Sequence, residues 1–252
     1  NGAFGFLMAF QMVVFAFVGV ELVGVAAAET ANPKKNIPSA INKIPVRILL
    51  FYVGALFVIL TINPWDTLSA ASSPFVQVFA LVGIPIAAGL INFVVLTSAA
   101  SAGNSGMFST SRMLYSLSNN KQAPKAYGKL NKNAVPQNGL IFSAVVVSIG
   151  ALLSYFMPDD AFSIVTTISA ICFIWVWSII LISHIIYKKR HPELHKTSVF
   201  KAPLTPFINY LVLAFFLFLL VIMGISESTR TSLLLTPIWF ILLFVLYKVR
   251  KK

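Results

Sequence analysis

Glu21 is the residue in this chain whose chemistry is costliest to place. It lies in "FAFVGVELVGVAAAET", Phe15 to Thr30, inside a long apolar run and between Gly19 and Gly24. An ionised acid near the middle of a membrane helix costs on the order of 2.5–3.5 kcal/mol on insertion scales, so such residues face a cavity, a partner or an ion path. Gly19, two residues earlier, opens the option of non-helical backbone, which is tolerated at membrane depth where it lines a cavity. A helix broken there leaves one half ending in free carbonyls, which suit an ammonium group. The next half begins with free N–H groups, which suit a carboxylate. Glu21 is then expected in the first turn of the second half-helix. There the dipole favours its charged form and desolvation its neutral form, a balance suited to loading and releasing a proton. The alternative is a continuous helix whose glycines serve close packing and whose Glu21 is paired to a neighbour.

A second group is "SAASAGNSGMFSTSR", Ser98 to Arg112. Small residues let helices approach closely and hydroxyls join them by hydrogen bonds. Tight packing is one reading; a polar wall of a substrate or ion path, formed by Ser101, Asn104 and Ser105, is the other. "GNSG" also fits an intramembrane serine protease, which needs a histidine at the same depth. Counted from the cytoplasmic ends, Ser105 and His184 differ in depth by roughly 13 Å at the helical rise per residue, which argues against it. His191 and His195 are spaced i, i+4, but a structural zinc site wants further ligands. No metal site and no enzyme active site is expected. Trp175 and Trp177 fall on nearly opposite faces of their span, so at most one can line a path, and contact with lipid or another helix is the default for both.

The elements that must position these residues follow from composition. The chain is 58% hydrophobic and 10% charged, with a mean hydropathy of +0.87, which no soluble domain of 252 residues requires. Cys172 is the only cysteine, so neither an internal disulfide nor a thiolate metal site is expected. Runs near twenty residues predict seven spans: Ala3–Ala28, Ile44–Ile62, Ile84–Leu117, Leu140–Phe156, Phe162–Tyr187, Phe207–Ile225 and Thr231–Tyr247. Each must satisfy its backbone internally, so each is helical. "SSPFVQVFALVG" is too short to cross and reads as a re-entrant or interfacial piece.

Eighteen of the 19 Lys and Arg residues fall in alternate gaps, after the first, third, fifth and seventh spans. The positive-inside rule makes those gaps and the C-terminus cytoplasmic. The net charge of +12 is therefore topological, and its division among short loops argues against a nucleic-acid partner. The chain opens on Asn1 with no basic leader, so the first run is not a signal peptide, and an outside start suits a piece of something longer.

"FAFVGVELVGVAAAETANPKKNIPSAINKIPVRILLFYVGALFVILTINPW" resembles the sixth and seventh helices of bacterial amino-acid permeases of the amino acid–polyamine–organocation superfamily. The likeness continues through "SAGNSGMFSTSRMLYSLS" to "TPIWFILLFVL" and covers essentially the whole chain. "RHPELHKTSVFKAPL" and "LLLTPIWF" carry a finer likeness to members that take D-serine, D-alanine and glycine. The resemblance implies an all-α polytopic membrane protein: the C-terminal seven helices (helices 6–12) of a LeuT-like inverted-repeat transporter of about twelve helices. Residues 1–187 would form the second five-helix repeat and residues 188–252 two accessory helices. Helices 1 to 5, whose first supplies the break for the substrate carboxylate, have no counterpart here.

The same resemblance implies that backbone carbonyls at Phe15, Ala16, Phe17, Val18 and Gly19 receive the substrate ammonium. Phe17 would close over substrate, with a lipid- or core-facing ring as its alternative. Glu21 would serve recognition or proton coupling. Glu29 would be a second acid at the cytoplasmic mouth, or else a solvated neighbour of Lys34 and Lys35. The implied function is proton-coupled symport of a small neutral amino acid such as glycine, alanine or serine across a bacterial cytoplasmic membrane. No cofactor is implied beyond the coupling proton. Membrane lipid is the expected surrounding, and the missing helices would come from the full-length chain or a separate one. An uncoupled facilitator and a non-transporting subunit or relic remain as other classes.

Overall fold

A computed structural model describes residues 2–68, 73–83, 85–157 and 161–250. Most of the described residues are helical, with no β-strand among them. In chain order the helices are α1 (Gly2–Val13), α2 (Leu22–Val25), α3 (Pro33–Arg47), α4 (Gly54–Ile62), α5 (Pro74–Leu81) and α6 (Pro85–Asn119). They continue with α7 (Gln137–Phe156), α8 (Ala161–Arg190), α9 (Pro192–Thr197), α10 (Phe207–Ile225) and α11 (Glu227–Arg250). Asp159 and Asp160 lie outside the described residues.

Among the described residues, six helical stretches are long and apolar enough to cross a membrane: Gly2–Val25, Pro33–Ile62, Gln137–Phe156, Ile164–Arg190, Phe207–Ile225 and Thr229–Lys248. The sixth expected span, Phe207–Ile225, is α10 residue for residue. The third, expected over Ile84–Leu117, is the 35-residue α6, which has the length to cross but is not among the six. The short piece before it is the eight-residue α5, about 12 Å long at 1.5 Å per residue and unable to span.

One boundary differs from expectation. Lys34, Lys35 and Lys43 were expected in a loop before Ile44, and instead lie on α3, which starts at Pro33. Asn32 turns the chain in a left-handed conformation (φ 50°), and Pro33 takes the first helical position, where a missing N–H costs nothing. Pro45, inside the helix, deletes one backbone donor, and the next turns widen to a π-helix over Ile48–Val53 before α4. Lipid-facing length thus comes from a helix whose first turns are cationic.

The chain divides into two compact units, residues 22–143 and residues 1–21 with 144–252. In the first, the small-residue half of α6 is put to use in packing. Ser109, Ser111 and Ser118 are buried, and the Ser118 hydroxyl donates to the Pro124 carbonyl at 2.8 Å. Gly139 of α7 lies so close to α6 that an added methyl would meet the Ser111 Cα and carbonyl oxygen at 3.1 Å. In the second unit, Val14, Ala170, Ile171, Ile174, Phe216, Leu219 and Met223 form the core, joining the end of the first helix to α8 and α10.

Gly139→Ala is expected to lower the stability of this chain in detergent by about 1–3 kcal/mol, since backbone rather than a flexible side chain must move. Gly150→Ala on the same helix, where the new methyl meets nothing within 4 Å, is the control and should be neutral or gain up to about 1 kcal/mol from helix propensity. Thermal unfolding of the two side by side decides: equal melting temperatures would mean that the α6–α7 approach is not what Gly139 serves.

Candidate functional site

The first span is broken. α1 stops at Val13, a 3-10 turn covers Val14–Phe17, and Val18 is extended (φ −60°, ψ 132°). Gly19 then adopts φ +102°, a left-handed conformation that side chains resist, and α2 begins at Leu22. The continuous-helix alternative is therefore set aside. The break is fastened at its start, where Val14 is 6% exposed against α8 and α10.

Backbone groups freed by the break find partners within it. The Val18 N–H donates to the Phe15 carbonyl at 3.2 Å, and the Val20 N–H to the Phe17 carbonyl at 3.3 Å. The Gly19 N–H lies 3.2 Å from both Oε1 and Oε2 of Glu21. The same carboxylate accepts at Oε2 a hydrogen bond of 3.1 Å from Nε1 of Trp177, on α8. Glu21 was expected in the first turn of the second half-helix, held by its dipole. It stands one residue before α2, a helix of four residues followed by a 3-10 stretch, Ala26–Glu29. So short a helix has little dipole to offer. The charge is met by two specific N–H donors instead.

A cavity of about 750 Å³ opens beside the carboxylate. Phe10, Val13, Val14, Phe17 and Val20 wall it from the first span, Trp177, Ile180 and Leu181 from α8, and Val212, Phe215 and Phe216 from α10. Among the described residues of that lining, Glu21 is the one ionisable side chain. Phe17 is thus on the cavity wall, 38% exposed. Phe15 faces a different and much smaller space of about 10 Å³, with Gln11, Thr166, Thr167 and Thr229. That space is about the size of one water and has the polar partners to hold it.

The remaining site residues behave separately. Ser101, Asn104 and Ser105 share one side of α6 at i, i+3 and i+4 spacing, all exposed, and the Ser105 hydroxyl donates to the Ser101 carbonyl at 3.0 Å. The stripe therefore splits: its later serines pack, and these three stay open. Glu29 ends the 3-10 stretch, and its side chain lies outside the described part. His184 Nδ1 pairs with the Asn209 amide at 2.9 Å and its ring lies 6.0 Å from that of His195. Desolvation, then the neighbouring Lys188, His184 and Lys201, hold His195 below its ordinary range. No group of three metal-ligating side chains occurs among the described residues. Trp177, expected by default against lipid or another helix, is the residue the sequence undervalued. Trp175 keeps the bland role, half exposed with its ring 4.9 Å from Phe240.

A broken helix of membrane length, with an acid in the break and an apolar cavity beside it, is a feature of an integral membrane protein. The chain belongs to the amino acid permease family, whose model matches residues 1–252. It is similar to the uncharacterized transporter YdgF of Bacillus subtilis (strain 168), 59% identical over 251 residues, which cover 100% of this chain and 55% of that protein. It is 56% identical over 252 residues to the amino-acid permease AapA of the same organism, covering 100% of this chain and 54% of AapA. With the D-serine/D-alanine/glycine transporter of Escherichia coli (strain K12) it shares 52% identity over 245 residues, 96% of this chain and 52% of that protein. The chain thus spans about half the length of these relatives. No solved structure matches it. Family and apolar helices together make this an integral membrane protein, and its relatives are transporters rather than enzymes.

Gly19→Ala is expected to destabilise the break by roughly 1–3 kcal/mol, because φ +102° is strained for any residue with a Cβ. Gly24→Ala, where nothing lies within 4 Å of the added methyl, should not. Thermal melting in detergent separates them, and a Gly19→Ala protein as stable as the parent would mean that the break relaxes to helix.

Proposed function

We propose that this chain is the C-terminal part of a proton-coupled amino-acid symporter of the bacterial cytoplasmic membrane, with its C-terminus in the cytoplasm. In this reading residues 1–187 are the second inverted repeat, residues 188–252 are accessory helices, and the first five helices lie on the full-length protein. The substrate is a small neutral amino acid, such as glycine, alanine or serine. The observation that carries the reading is the acid in the broken first span: Glu21, beside Gly19, at the edge of an apolar cavity. A carboxylate at that depth is costly unless it works. The substrate class is supported by the relative whose name includes D-serine, D-alanine and glycine.

In mechanism, backbone carbonyls of Phe15 to Gly19 receive the substrate ammonium. The Phe15 and Phe17 carbonyls already accept one hydrogen bond each and retain a second lone pair. Phe17 shields the bound substrate, and Ser101, Asn104 and Ser105 supply a polar wall. Glu21 carries the coupling proton, with Glu29 as a second acid toward the cytoplasm. Alternating access turns on the break, since the two helical pieces on either side of Gly19 can move without tearing a continuous hydrogen-bond ladder.

In the full-length protein in proteoliposomes, an imposed inward proton gradient should drive uptake of labelled glycine, alanine or serine. Glu21→Gln should abolish the driven component. Uptake indifferent to the gradient in the parent protein would make it a facilitator, and unchanged pH-dependent uptake in Glu21→Gln would remove Glu21 from the mechanism.

A further inference from the structure

Trp177 presents a hydrogen-bond donor to the carboxylate of Glu21, the only ionisable group among the described residues on the cavity wall. Its ring is held between Phe173, at 5.9 Å between centroids, and Phe216, at 6.0 Å. Two aromatic neighbours on α8 and α10 thus restrict its rotamer, so the N–H is aimed before Glu21 arrives. Tryptophan nitrogen can only donate. Each oxygen of Glu21 therefore faces a donor: Oε1 the Gly19 N–H, and Oε2 both Gly19 and Trp177. A proton added at Oε2 sets O–H against the indole N–H, and one added at Oε1 sets it against Gly19. Either way the acceptor that fastens the break is weakened. Other titratable groups do not share the task. α1 carries none, and the cysteine, histidine, tyrosines and basic residues of α8 and α10 are outside the cavity lining.

We infer that Trp177 is the positioning residue for Glu21: its indole N–H fastens the carboxylate to α8, and protonation of Glu21 weakens that tie. This rests on the symport reading for its role in transport, but not for the contact itself. The device links a proton to the break mechanically. With Glu21 charged, the Val18–Glu21 segment is tied to α8. With Glu21 neutral, that tie loosens while the Val14 anchor persists.

Two measurements on the full-length protein test it. In a background with every tryptophan except Trp177 changed to phenylalanine, Trp65, Trp175 and Trp239 of this chain among them, the emission of Trp177 should titrate with pH, and Glu21→Gln should make it flat. In proteoliposomes, Trp177→Phe keeps an aromatic ring and removes the donor. Its uptake should persist with a pH profile displaced from the parent's, because one of the donors to the carboxylate is gone. Trp177→Phe added to Glu21→Gln should change nothing further. Emission that titrates equally in Glu21→Gln, or is flat in the parent, overturns the inference, as does an unmoved pH profile in Trp177→Phe. If emission titrates through Glu21 but uptake ignores the proton gradient, the pairing stands and the symport reading fails.

Discussion

A helix in lipid cannot leave a backbone N–H without an acceptor, because no water is there to supply one. The break at Val18–Glu21 interrupts helical pairing within a stretch of membrane-spanning length, and Glu21 is what makes the interruption tolerable. Its carboxylate takes the Gly19 N–H that helix geometry abandons. In return, the Gly19 and Trp177 donors offset the cost of a charge in an apolar place. The acid and the irregular backbone stabilise each other, and neither would persist in this position alone.

Packing around the break serves the same end. Ile174, Leu219 and Met223, the most deeply buried large side chains, lie on α8 and α10. These are the helices that wall the cavity and aim Trp177. A rigid pair of neighbours lets one short segment stay irregular. On the other face of the first span, Gln11 accepts a hydrogen bond from Thr229 at 3.1 Å, tying α1 to α11 by side chains rather than by apolar contact. In a membrane, where burying apolar surface gives little advantage, such polar ties and close small-residue contacts carry more of the specificity. The Gly139–Ser111 approach in the other unit is the same solution in a different place.

Most of the surface is apolar, as a lipid-facing surface must be. Leu49, Leu50, Phe51 and Phe57 are each more than 60% exposed on the second span, and Ile86, Leu90, Phe93 and Leu96 likewise on α6. The cationic residues gather where the spans end, at Lys188, Lys189 and Arg190 on the last turn of α8. Family membership gives these patterns their context: the three relatives named above, each about twice as long, share 52–59% identity with nearly all of the chain.

What was legible in the sequence was what depends on local composition. Length and apolarity of each run place α7, α8, α10 and α11 within a few residues, because crossing a bilayer admits only a helix of a certain length. The pairing of Gly19 with Glu21 announced a break, since a glycine and an acid have no common purpose in an ordinary lipid helix. Misjudgements came where local patterns admit two outcomes. Lys34 and Lys43 read as loop because charge was taken to end a helix, whereas Pro33 begins one. The serines of α6 admitted two readings, packing or an open polar face, and both occur: Ser109, Ser111 and Ser118 are buried, while Ser101 and Ser105 are exposed. Trp177 could not be singled out from Trp175, as both are tryptophans in the same apolar run. Only the packing of α8 against the first span, across 156 residues of sequence, decides which indole finds the carboxylate. Sequence determined the membrane class, the helices and the site of the break. Tertiary structure alone decided the partner of Glu21, because a hydrogen bond requires a distance and a direction that no spacing along the chain encodes.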